Sequence, residues 1–186
     1  MMQAIRLLGI LLTSAAASQA YAETWLSVDG KSELEFIVNY EGADAPGQFS
    51  RFEVVVKTNP ESGNPESVMV DVDITSASMG NEDIDEAIGE PEWFDAQAFP
   101  RAIFRSTQVH AANPPEYAAG GVVTIKGVEQ AVNIPFDWNT DGDSAEMAGS
   151  LDLSRLDFGI GSGEWASEAP VGHTVHLRFR IDLKTE

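Results

Sequence analysis

From Val171 to Leu183 the chain alternates without a break. Val171, His173, Val175, Leu177, Phe179, Ile181 and Leu183 fall on one face, and Gly172, Thr174, His176, Arg178, Arg180 and Asp182 on the other. A period of two predicts a strand with one apolar and one wet face. At roughly 3.3 Å per residue it spans about 40 Å, more than twice the usual length. The same pattern predicts strands over Ser32–Tyr40, Gln48–Lys57, Ser67–Thr75, Ala102–His110, Tyr117–Ile125, Val128–Trp138, Ser144–Leu153 and Val171–Lys184. Asn59 to Asn64, Lys126-Gly127 and Thr140 to Asp143 supply the turn chemistry of antiparallel connections.

One helix interrupts the strands. Asn81 can cap it, Glu82 and Asp83 suit its first turn, Ile84 and Ile88 share a face, and Gly89 with Pro91 stops it. The prediction is an all-β fold with one short helix after the third strand. Eight sequential antiparallel strands can close into a barrel or split into a sandwich, and their length favours the barrel. Such a barrel either fills its bore with its own side chains or walls a cavity, and periodicity does not separate the two.

The first 22 residues read as an export leader rather than as part of the domain. Arg6 provides the positive region, Leu7 to Leu12 the apolar core, and Ala20-Tyr21-Ala22 a cleavage site after Ala22. The mature domain is then residues 23–186, enough to bury a core without staples. The chain has no cysteine, which excludes thiol catalysis, thiolate zinc sites and Fe–S clusters. Its formal net charge is −19, and losing Arg6 makes the mature chain one unit more negative. That charge disfavours nucleic acid and anionic membrane surfaces and suits an acidic periplasmic protein.

No constellation marks a catalytic or metal site. His173 and His176 lie three apart on one strand, so their side chains point to opposite faces. His110 follows a strand, and Asp141-Gly142-Asp143 lacks the later ligands of a calcium loop. Ser162 between Gly161 and Gly163 has no strand-turn-helix context for a nucleophile. Thirty acidic residues leave paired-carboxylate chemistry open without naming a pair.

Short motifs, read in order, resemble the YceI-like family. They begin with Ser32-x-Leu34-x-Phe36-x-Val38, Gly47-x-Phe49, Phe52, Val72-Asp73-x-x-Ser76 and Gly80-Asn81-Glu82 with Asp85. Trp93-Phe94-Asp95, Phe99-Pro100, Phe104 and Gly121-x-Val123-Thr124-Ile125-Lys126-Gly127-Val128 follow. Leu153-x-Arg155-x-x-Phe158-Gly159-Ile160-Gly161 and Val171-Gly172 close the set, which covers about residues 27 to 183. The resemblance implies an eight-stranded lipocalin-like periplasmic barrel. It also implies a ligand: a polyisoprenoid, an isoprenoid quinone or another long amphiphile, held without a covalent cofactor. A cytochrome b561-type membrane protein is the partner it suggests, with the carrier a monomer or homodimer. The chain departs from the family pattern in three places. Tyr40 stands where a His is usual, the loop Gly42 to Gly47 is one residue short and carries Pro46, and Ile84 replaces an Arg before Asp85.

On this reading Phe36, Val38, Phe52, Val54, Val70, Ile74, Phe104, Ile125, Phe136 and Trp138 line the inner face. Tyr40, Trp93, Phe158 and Trp165 join them near the ends, with Phe94 as an aromatic plug and Gly159–Pro170 as a candidate lid. Arg155, flanked by Leu153, Leu156 and Phe158, calls for a carboxylate, and Asp73, Asp85 or Asp157 are the candidates for a structural ion pair, with binding of a ligand head group as the alternative role. Two rival functions remain at this stage: an enzyme acting on a lipid or glycan through two carboxylates, and a solid-core domain that docks to a membrane redox protein.

Overall fold

The computed structural model describes residues 22–186; the leader segment lies outside the described residues, apart from Ala22 itself. Eleven strands form one antiparallel sheet. They are β1 (Glu23–Ser27), β2 (Glu33–Tyr40), β3 (Ala43–Phe49), β4 (Phe52–Thr58), β5 (Pro65–Asp73), β6 (Ala77–Ser78), β7 (Arg101–Asn113), β8 (Glu116–Ile125), β9 (Val128–Asp141), β10 (Ser144–Ser154) and β11 (Val171–Thr185). The helix α1 (Glu82–Gly89) follows β6.

These eleven occupy eight places around a closed barrel. The long β11 explains how. Its last residues, Leu183 to Thr185, pair with β1, while its first ten, Val171 to Arg180, pair with β2. Next around the ring, β4 pairs with β1 and β3 with β2. The predicted strand Gln48–Lys57 is therefore two strands meeting at a corner, Ser50-Arg51. Ser76 holds that corner, accepting the Arg51 N–H at 3.0 Å on its hydroxyl and the Ser50 N–H at 3.3 Å on its carbonyl. β5 and β6 split in the same way around a 3₁₀ turn, Ile74–Ser76. Strands β7 to β10 complete the ring as predicted.

The segment Gly42 to Gly47, read above as a loop, belongs mostly to β3. Pro46 misled the pattern, yet it is tolerated there: β6 covers only Gln48 and Phe49, so Pro46 lies on an open edge that needs no N–H. Gly47 has its own reason. It pairs with Phe36 across the ladder, and a Cβ at Gly47 would collide with the Phe36 ring.

The core divides into two clusters along the barrel axis. At one end Trp25, Tyr117, Phe136, Trp138, Met147 and Leu183 are buried together. The Trp25 and Trp138 rings meet edge to face at 5.6 Å, and Tyr117 stacks on Phe136 at 5.7 Å. That end is closed. At the other, Phe36, Phe49, Val72, Ile74 and Ala102 form a thinner layer against the walls, beneath α1.

Candidate ligand-binding cavity

Between the closed end and α1 lies a cavity of about 530 Å³, open at the α1 end. Its size falls in the range of small-molecule sites. The walls come from the inward positions of almost every strand, because alternate residues of a strand face the same side. Leu34, Phe36 and Val38 of β2, Val68, Val70 and Val72 of β5, and Val175, Leu177 and Phe179 of β11 illustrate the rule. Among the described residues only two charged side chains, Asp83 and Arg155, reach the lining.

Twelve of the fourteen candidate residues lie on this wall: Phe36, Val38, Tyr40, Phe52, Val54, Val70, Ile74, Trp93, Phe104, Ile125, Phe158 and Trp165. Phe136 and Trp138 do not. They share the inward face of β9, but each step of two residues carries a side chain about 7 Å along the barrel. Val132 and Ile134 already line the cavity, which places Phe136 and Trp138 in the closed end. Trp138 Nε1 is buried there without a hydrogen-bond partner. Lining residues the sequence reading left out fall into two groups. Leu151, Leu153, Val175, Leu177 and Phe179 carried the same alternating signal as those chosen. Asp83 and Ala87 carried none, since α1's approach to the mouth is a tertiary fact.

The mouth is built by three segments clasped together. Asn81 Oδ1 caps α1 by accepting the N–H groups of Asp83 and Ile84. Asp85 ties the helix to β6 by accepting from the Ser78 hydroxyl and the Met79 N–H, both at 2.6 Å. The following turn brings Trp93 and Phe94 to the opening, where Phe94 packs edge-on to Phe49 at 6.1 Å. The segment after β10 contains 3₁₀ turns Arg155–Phe158 and Gly163–Ala166. Glu92 O accepts the N–H groups of Gly161 and Ser162, and Lys126 Nζ donates to the carbonyls of Pro91 and Gly159.

Arg155 anchors this arrangement, and not through an ion pair. Its guanidinium donates to six backbone carbonyls, those of Ile160, Gly161, Trp165, Ser167, Val171 and Gly172, at 2.6–3.1 Å. Asp73 instead binds Arg51 at 2.8 Å, and Asp85 serves β6. Asp157 contributes its carbonyl to Gln130. A buried Arg needs hydrogen-bond partners, and here they are carbonyl dipoles that no side-chain pattern records. Burial pushes the Arg155 pKa below its ordinary value, and the guanidinium remains charged at neutral pH. It also faces the Trp93 ring at 5.8 Å, and Trp93 leans on Trp165 at 5.4 Å.

The histidines are dispersed. His173 Nε2 lies 3.1 Å from the Ala166 carbonyl, whereas His176 Nδ1 meets Asp152 at 2.7 Å. No helix among the described residues is long and apolar enough to cross a membrane.

A closed antiparallel barrel with an apolar bore open at one end defines a lipocalin-like protein. Residues 25–183 match the YceI-like domain, and the chain belongs to that family. Among relatives, a UPF0312 protein of Vibrio cholerae is 27% identical over 138 residues, covering 69% of this chain and 72% of its own. Burkholderia cenocepacia BcnA superposes with a TM-score of 0.79 at 26% identity, covering 84% of this chain and 98% of that one. A polyisoprenoid binding domain from Saccharophagus degradans, implicated in plant cell wall breakdown, superposes at 0.71 with 10% identity, covering 89% and 100%. At that identity the likeness concerns the fold.

Proposed function

We propose that this protein is a periplasmic carrier that holds one long, apolar molecule in its bore, an isoprenoid quinone or related polyisoprenoid lipid, without covalent chemistry. The observation that carries the reading is the 530 Å³ cavity with an almost wholly apolar wall and one open end. Several hundred Å² of prenyl surface leaving water at roughly 25 cal/mol per Å² is worth on the order of 10 kcal/mol before ordering costs. The polyisoprenoid-binding character of the Saccharophagus degradans domain fits the same bore. The rival solid-core reading has the 530 Å³ void against it. Paired-acid chemistry would need a second carboxylate beside Asp83, and none of the described lining residues provides one. A leader over the first 22 residues supports a periplasmic carrier, for which a cytochrome b561-type membrane protein would be the redox partner.

The test is organic extraction of protein purified from native periplasm, followed by mass spectrometry, with quinone titration of tryptophan fluorescence. A stoichiometric lipid and saturable quenching are expected. Extracts without lipid together with unquenched tryptophans would refute the carrier.

A further inference from the structure

The two charged groups on the cavity wall bear on which head group the mouth accepts. Arg155 is a cation beside the opening, and at first sight an anion receptor. Its five N–H donors, however, are already taken by six carbonyl oxygens, and the side chain is 2% exposed. No donor is left to turn toward a phosphate. Lys126 does not line the cavity, and its ammonium is held by the Pro91 and Gly159 carbonyls. The N-terminus of α1, where backbone N–H groups could receive an anion, is closed by the Asn81 cap and carries Glu82, Asp83 and Asp85 in its first turn.

What remains at the opening favours neutral groups. Asp83, exposed on α1 at the rim of the cavity, offers a carboxylate that accepts from a hydroxyl. The Tyr40 phenol is half exposed at the end of β2 and both donates and accepts. The chain's net charge of −19 adds a repulsive field for any anion approaching the bore.

We propose that the mouth selects by head-group charge: it takes long-chain lipids ending in a neutral, hydrogen-bonding head such as an alcohol, phenol or quinone, and rejects prenyl phosphates of the same chain length. This rests on the carrier reading above. A phosphate at the opening would find no N–H donor left on Arg155 to bind it, and would meet the Asp83 carboxylate and the field of a chain of net charge −19.

Geranylgeraniol and geranylgeranyl phosphate, each below its aggregation threshold, are titrated into the mature protein while its tryptophan fluorescence is followed, Trp93 and Trp165 being the two tryptophans that line the cavity. The phosphate should bind about tenfold or more weakly at low salt, and added salt should narrow the gap by screening repulsion. Asp83→Lys should move the phosphate-to-alcohol affinity ratio toward one; its circular dichroism confirms folding. Equal or tighter phosphate binding, or phosphate binding that weakens as salt rises, overturns the selectivity while leaving the carrier intact. If neither ligand binds, the carrier reading itself falls.

Discussion

The Arg155 guanidinium stands 5.8 Å from the centre of the Trp93 ring, so one residue ties the segment after β10 to the turn after α1. With its six carbonyl contacts, it closes the far side of the mouth by polar means while the wall below is held by apolar packing. Arg155→Lys keeps the charge but supplies three donors on a shorter stem and cannot span six acceptors. The variant should lose about 3 kcal/mol or more in urea unfolding, since several buried carbonyls lose their partners. A loss below about 1 kcal/mol would show that the carbonyls find other donors.

Gly161 sits against the same guanidinium. A Cβ there would run into Arg155 Nη1, and the backbone is left-handed at φ +73°. Gly159 is equally left-handed at +65° but has open space around it. Gly159→Ala should therefore cost about 1 kcal/mol, the backbone term alone, and Gly161→Ala at least about twice that. Equal melting temperatures for the two variants would contradict the close packing of Gly161 on Arg155.

Filling the bore should separate binding from folding. Val70 lines the cavity at mid-height, and Val70→Trp places an indole where a ligand tail would lie. Bound lipid should fall about tenfold or more, at a folding cost of roughly 1–3 kcal/mol. Trp138→Phe at the closed end should leave lipid binding within about twofold, and deleting an unpaired indole N–H should offset part of its packing loss. Lipid content after purification and thermal melts read both effects. A Val70→Trp protein with a full lipid load would place the ligand elsewhere.

Asp73 gives the fold an acid-sensitive joint. The Thr75 hydroxyl first, and then Arg51, hold its carboxyl below the ordinary aspartate value. A depressed folded-state pKa stabilises the protein above the unfolded value near 4 and is lost as pH falls through the folded one. Asp73→Asn should cost about 1 kcal/mol at pH 7, because Arg51 is largely exposed. That difference should shrink steadily below about pH 4. A constant difference from pH 7 to pH 2 would mean that the charge on Asp73 is not what stabilises the corner.

The sequence by itself determined the class of the fold and most of the wall. Alternation with period two names a strand and its inward face from local residues alone, which is why β7 to β11 and nine of the twelve wall residues were legible. Trp93, Phe158 and Trp165 lie outside the alternating runs and were placed at the barrel ends through the family resemblance and the candidate lid. Asn81 and the Ile84–Ile88 pair marked α1 for the same reason, since capping and helical faces are written within one or two turns. Tertiary structure decided what alternation does not encode: how far along the axis each inward residue lies, and what meets it there. Depth moved Phe136 and Trp138 from the cavity into the closed end, and the corner at Ser50-Arg51 divided one predicted strand into two. Arg155 drew its partners from carbonyls whose positions exist only once the chain has closed over it. Side-chain identity carries facing, whereas depth and backbone dipoles belong to the assembled barrel.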